Sequence, residues 1–226
     1  GARISNNSIT FMFELPELEL KDTGEILGID IGKVNSITCS NGVQSTPNNH
    51  NHDLNSILTT LSRRKKGSKR FQRAVSHRTN YINWSINQLN LSSVKELRIE
   101  KIRNLRKNNR TSRMLGHWTY TDIFDKLKST CESQGVLVTQ VNPTYTSQRC
   151  SACGWTRSSN RTGKHFRCKE CNFELDADLN GARNIVARLA SITKQQRLSK
   201  ISRAGFYWLE IGQENIVPDV QNNNFH

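Results

Sequence analysis

The sequence predicts an α/β domain built on a mixed sheet with helices on both sides, interrupted by a small cysteine-bearing module. Three observations carry this expectation. Short runs at 25–31, 94–100 and 136–141 have strand character, the stretches between and after them have helical spacing, and four cysteines fall into two Cys-x-x-Cys pairs ahead of the last helix. A length of 226 residues suits one domain carrying an inserted module. No internal period marks a repeat protein.

Ser8 to Leu15 (SITFMFEL) reads as a strand, the expected remnant of a preceding domain that ends near residue 21. In EILGIDI, Leu27, Ile29 and Ile31 share one strand face, while Gly28, Asp30 and Gly32 share the other, where small neighbours leave room for a ligand. Asn41-Gly42 between two β-prone runs is a hairpin signal, so three antiparallel strands are expected to open the domain. From Asp53 to Leu91 the pattern turns helical, first through Leu54, Ile57, Leu58 and Leu61, then through Phe71, Val75, Tyr81, Ile82, Ile86 and Leu89. VKELRIE gives a strand ending at Glu100. Trp118 to Ser133 forms the next helix, closed by Gly135, and VLVTQV a buried strand. Leu179 to Ile192 is an amphipathic helix with Ala182, Ile185, Leu189 and Ile192 inward. Residues 196–226 read as a basic, partly disordered tail ending in Gln221-Asn222-Asn223-Asn224. This order belongs to the ribonuclease-H-like fold. Its core occupies 22–147 and 174–195, with the cysteine module at 148–173.

Charge narrows the partners. Thirty-three Lys and Arg against 19 Asp and Glu leave a net charge of +14, for which a polyphosphate backbone is the natural counter-surface, so DNA is the expected partner. No apolar run reaches the roughly 18 residues a bilayer span needs, and the first residues carry no signal pattern. A cytoplasmic, nucleic-acid-associated chain is expected, in which Asn-x-Ser/Thr triplets such as Asn83-Trp84-Ser85 are chance matches.

Cys150, Cys153, Cys168 and Cys171 have the spacing C-x₂-C-x₁₄-C-x₂-C of a zinc ribbon. Four thiolates leave no open position for water, so the zinc is expected to be structural. Gly154 and Asn172 suit the turns after each knuckle. The loop between the pairs carries Arg157, Arg161, Lys164, His165 and Arg167 with Trp155 and Phe166, a surface for phosphate and base contact. A second basic run, Arg63, Arg64, Lys65, Lys66, Lys69, Arg70 and Arg73, has seven cations in eleven residues and is expected to hold a nucleic-acid backbone. His77, His117 and His165 have no ligand-like spacing, and Cys39 and Cys131 read as small buried apolar residues.

Two-metal phosphodiester hydrolysis needs convergent carboxylates that hold two cations about 3.5–4 Å apart. In the expected fold these come from the middle of the first strand, the end of the fourth and the start of the last helix, which are Asp30, Glu100 and Asp178. Asp176 competes with Asp178 but is better placed to cap the helix. The implied ions are Mg or Mn.

GIDIG at 28–32, RIEKI at 98–102, PTYTSQRCSACG at 143–154 and DADLNGARNI at 176–185 resemble the RuvC-type nuclease half of TnpB, the transposon-associated RNA-guided endonuclease family related to type V CRISPR effectors. SRRKKGSKRFQRAVSHR also resembles that family's helical segment between its first two carboxylate motifs. The resemblance covers roughly residues 22–190 and implies a Mg-dependent DNA endonuclease with Asp30, Glu100 and Asp178 as metal-binding acids, possible use of guide RNA, and a recognition lobe supplied by another chain. The sequence departs from the family by having 27 residues before GID and by placing Lys101 directly after Glu100. Two rivals follow from the same residues: a nucleic-acid-binding repressor or accessory factor with little catalysis, and a junction resolvase of the same fold.

Overall fold

The computed structural model describes residues 1–5, 8–12, 18–32, 34–102, 120–189 and 204–211. Its centre is a four-stranded mixed sheet ordered β4-β3-β5-β6, from β3 (Glu25–Asp30), β4 (Thr38–Cys39), β5 (Val94–Glu100) and β6 (Leu137–Val141). β3 pairs antiparallel with β4 and parallel with β5, and β5 pairs parallel with β6. Pleating puts Leu27, Ile29, Leu97 and Ile99 on one face, where α1 (Leu54–Ser62), α2 (Lys69–Asn87) and α3 (Tyr120–Glu132) bury them in a single core. On the other face lies α4 (Ala177–Val186), packed against β3, β4 and β5.

Local chemistry explains the helix starts. Asp53 and Ser56 form a reciprocal capping box on α1, and the Ser68 hydroxyl accepts the Phe71 N–H at the start of α2. Arg98 donates to Val186 O at 2.6 Å, satisfying a terminal carbonyl of α4 from the sheet below. Gly28 is what lets α4 lie so close: a Cβ built there would stand 2.3 Å from Ala182 O. The space beside Gly28 therefore belongs to a helix, and only the end of the strand opens to a ligand.

Several expectations shift. Ser8–Phe11 (β2) pairs with an unforeseen strand, Ala2–Ser5 (β1), as an exposed hairpin rather than standing as a single strand. The third opening strand shrinks to Gln44, which bridges Thr38, although the Asn41-Gly42 turn forms and Gly42 N donates to Cys39 O. β6 is not buried: it is the sheet edge, and Leu137 stays 45% exposed. α4 ends at Val186, so Leu189 lies beyond it. The segment 204–211, placed by the sequence in a tail, is ordered: β11 (Phe206–Tyr207) pairs with β7 (Trp155–Thr156), and Trp208 is buried. Trp118, His117, Ile192 and the terminal Gln-Asn run lie outside the described residues.

Candidate active site

Asp30 is the last residue of β3 rather than its middle, and Glu100 is the last residue of β5. Ile29 and Ile99 are in register on these adjacent parallel strands, so the two acids emerge side by side at the strands' carboxyl ends, where open α/β sheets bind ligands. Asp178 joins them from the first turn of α4. Gly181, one turn on, lies so near that a Cβ would sit 3.3 Å from Asp30 Oδ2. All three acids line one cleft of about 430 Å³, together with Asn55, Pro143, Thr146, Ser147, Arg161 and Lys164 among others.

The electrostatics are those of crowded acids. The Asp30 carboxyl is pushed up to about 7, first by burial and then by the charges of Glu100 and Asp178, against the lowering influence of Arg161 and Lys164. Glu100 is also raised by burial, tempered by the Thr146 hydroxyl, which donates to its Oε1, and by Arg161. Asp178 keeps its charge paired: Arg161 Nη2 lies 2.9 Å from Oδ1, and the Lys164 ammonium holds Oδ2. Asp176 caps the helix, its Oδ1 accepting from Asp178 N and Leu179 N, both at 3.0 Å.

The cysteine module sits directly above this site. The four sulfurs lie within 4.8 Å of one another, with Cys150 to Cys171 at 3.8 Å and Cys153 to Cys168 at 3.6 Å. Burial pushes the Cys150 thiol up to about 11. Gly154 and Asn172 take positive φ values of 79° and 58°, the turns each knuckle needs. The module's sheet, β8 (Arg161–Thr162), β9 (His165–Arg167) and β10 (Glu174–Asp176), runs past residue 173 to the cap of α4. The module and the helix thus share Asp176.

The sequence reading had no role for a buried polar network that locks this junction. Arg149 Nη1 donates to Asn184 Oδ1 at 2.7 Å and Arg149 Nε to Trp208 O at 2.7 Å, while Asn184 Nδ2 donates to Thr146 O and Arg149 O. Asn180 Nδ2 donates to Arg149 O, and Asn180 Oδ1 accepts from Ser151 N. The signal was present as two asparagines spaced i, i+4 on one helix face. The basic residues divide into two sets. Arg63, Arg64, Lys65, Lys66, Lys69, Arg70 and Arg73 are all exposed around the α1–α2 corner. On the module, Arg161 and Lys164 turn inward to Asp178, Arg167 pairs with Glu174 at 3.2 Å, and Arg157 is half-buried. His77, on α2, lies 5.0 Å ring to ring from His52, and Cys39 and Cys131 are fully buried.

Residues 120–185 match the family described as Cas12f1-like, TNB domain. A CRISPR-associated endodeoxyribonuclease Cas12f1 of Sulfoacidibacillus thermotolerans is 48% identical over 75 residues, 33% of this chain and 18% of that protein. A putative RNA-guided DNA endonuclease, InsQ, of Escherichia coli K12 is 49% identical over 55 residues, 24% of this chain and 14% of that protein. Over these stretches the chain is similar to Cas12f1 and TnpB-like proteins. The fold of this TnpB-like chain is similar to that of the protein in a cryo-EM structure of a Cas12f1–sgRNA–target DNA complex, with a TM-score of 0.56, covering 75% of this chain and 51% of the other at 22% identity. The TnpB-like chain thus spans about half of that solved relative and under a fifth of the two curated ones.

Proposed function

We propose that this TnpB-like chain is a Mg- or Mn-dependent DNA endonuclease of RuvC type on a ribonuclease-H-like core, with Asp30, Glu100 and Asp178 as its metal-binding acids. The observation that carries the reading is the meeting of three carboxylates from β3, β5 and α4 in one cleft. The donor set fits a hard divalent ion: oxygen ligands, two of them raised chiefly by burial, whose ionised forms a cation favours. Asp30, Glu100 and Asp178 would hold such ions, which would supply the charge that activates a water and steadies the leaving oxygen. The chain's own residues do the rest. Thr146 fixes the rotamer of Glu100, Asp176 sets the start of α4 so that Asp178 reaches the cleft, and Arg161 offers a guanidinium to a phosphodiester entering among acids.

The four thiolates of Cys150, Cys153, Cys168 and Cys171 are proposed to hold a structural zinc, since tetrahedral Zn–S bonds of about 2.3 Å place sulfurs about 3.8 Å apart. The exposed corner from Arg63 to Arg73 is the proposed track for the nucleic-acid backbone. Guide RNA is a further proposed partner, because the solved relative carries an RNA and a target DNA. The test is Mg²⁺-dependent cleavage of single-stranded DNA by the wild type, Asp30→Ala and Asp178→Ala. Loss of cleavage in both variants is expected; equal cleavage by all three would sink the assignment and leave a nucleic-acid-binding protein.

A further inference from the structure

We infer that Lys164 is a resident counter-cation of the acid cluster, which a divalent ion must displace from Asp178 on entering. The inference rests on the metal-site reading above and deepens it. Both oxygens of the Asp178 carboxylate are taken, one by Arg161 and the other by Lys164, and the two cations hold unequally. Arg161 is the more buried, 31% exposed against 46% for Lys164, and its Nε is also anchored on Gly163 O at 3.1 Å. Lys164 is fixed by its backbone, not its head: its carbonyl accepts the Ala177 N–H at 2.8 Å, which stations the residue beside the start of α4. From that point a flexible four-carbon stem carries the ammonium either onto Asp178 or out to solvent.

The oxygen that Lys164 covers faces the stretch that follows β3. A Cβ on Gly32, two residues past Asp30, would lie 3.8 Å from Asp178 Oδ2. Lys164 lines the cleft with all three acids, so its ammonium and an entering ion compete for the Asp178 carboxylate. Without metal its charge offsets the repulsion among three acids; with metal the same charge opposes the ion, and leaving Asp178 sets the ammonium free at the cleft mouth for a phosphate. Lys164 so acts as a positioning residue that lowers metal affinity and links metal entry to a free cation.

The experiment is Mn²⁺ titration, followed by electron paramagnetic resonance, of the zinc-loaded full chain in chelating-resin-treated buffer, for wild type, Lys164→Met and Asp178→Asn. Lys164→Met is expected to bind Mn²⁺ about tenfold tighter or more, since a unit charge is removed from beside a divalent ion in a partly solvated site. It is also expected to melt lower than wild type without Mn²⁺, with the gap closing at saturating Mn²⁺. If Lys164→Met binds Mn²⁺ no tighter than wild type while Asp178→Asn binds it more weakly, the counter-cation role is overturned and the metal site stands. If neither wild type nor Lys164→Met binds Mn²⁺, the metal site itself is overturned, and the inference with it.

Discussion

At the scale of single residues the informative group is Asp30, whose carboxyl rises from an ordinary 3.8 to about 7. A carboxyl raised in this way binds its proton more tightly in the native than in the unfolded state. Its contribution to stability is then fully present below about pH 4 and is lost as pH climbs through 7. Glu100 shifts in the same direction. Asp30→Asn keeps the shape and deletes the titration, so without divalent metal it should gain stability relative to wild type as pH rises from 5 to 8. Urea unfolding midpoints across that range check this, and a difference that does not change with pH would mean Asp30 is ionised at little cost. Added Mg²⁺ should raise the wild-type melting temperature more at pH 8 than at pH 5, because it favours the ionised acids.

At the scale of elements the site depends on how α4 is seated. Gly28 and Gly181 together allow the helix backbone to meet β3 and bring Asp178 to Asp30. Gly28→Ala drives a methyl into Ala182 O and should cost about 1–3 kcal/mol or more, the usual range for overpacking, read as a lowered urea midpoint. Asn184 ties the same helix to the cysteine module. Its amide serves the carbonyls of Thr146 and Arg149 and its oxygen serves Arg149, all in buried surroundings. Asn184→Ala removes this partner from Thr146 O and Arg149 Nη1, while Arg149 O keeps Asn180, and should cost about 1–3 kcal/mol for each buried polar group left unsatisfied. Since Thr146 also orients Glu100, Mn²⁺ affinity should fall along with stability. Unchanged Mn²⁺ binding in a destabilised Asn184→Ala would show that the network supports the fold but does not set the acids.

Across the whole molecule, what the sequence revealed was what short-range periodicity encodes. In Glu25–Asp30 and Val94–Glu100 the pairs Leu27 and Ile29, and Leu97 and Ile99, recur at strand spacing, and the strands fall there; Leu54, Ile57, Leu58 and Leu61 repeat at helical spacing, and α1 buries those four. Features set by distant pairing were illegible. Phe206–Tyr207 finds its partner about fifty residues back at Trp155–Thr156, and nothing local in a basic segment announces it. The hold of Lys164 on Asp178 depends on a turn folding over a helix start, which composition cannot reveal; the same cation read from sequence alone was a phosphate contact. That pairing bears on where the nucleic acid should lie. With the module's Arg161, Lys164 and Arg167 all engaged by acids, the long-range attraction falls chiefly to the exposed α1–α2 corner. For single strands each neutralised phosphate adds about 0.7 to the slope of log affinity against log salt. Replacing Lys65, Lys66, Lys69 and Arg70 together by Gln should therefore flatten that slope by about 2–3 units, while Mn²⁺ affinity stays as in the wild type. Fluorescence anisotropy with a labelled single strand, from low to moderate salt, measures the slope directly. A slope unaltered by four lost charges would mean that this corner is merely solvated and that the strand runs over the cysteine module instead.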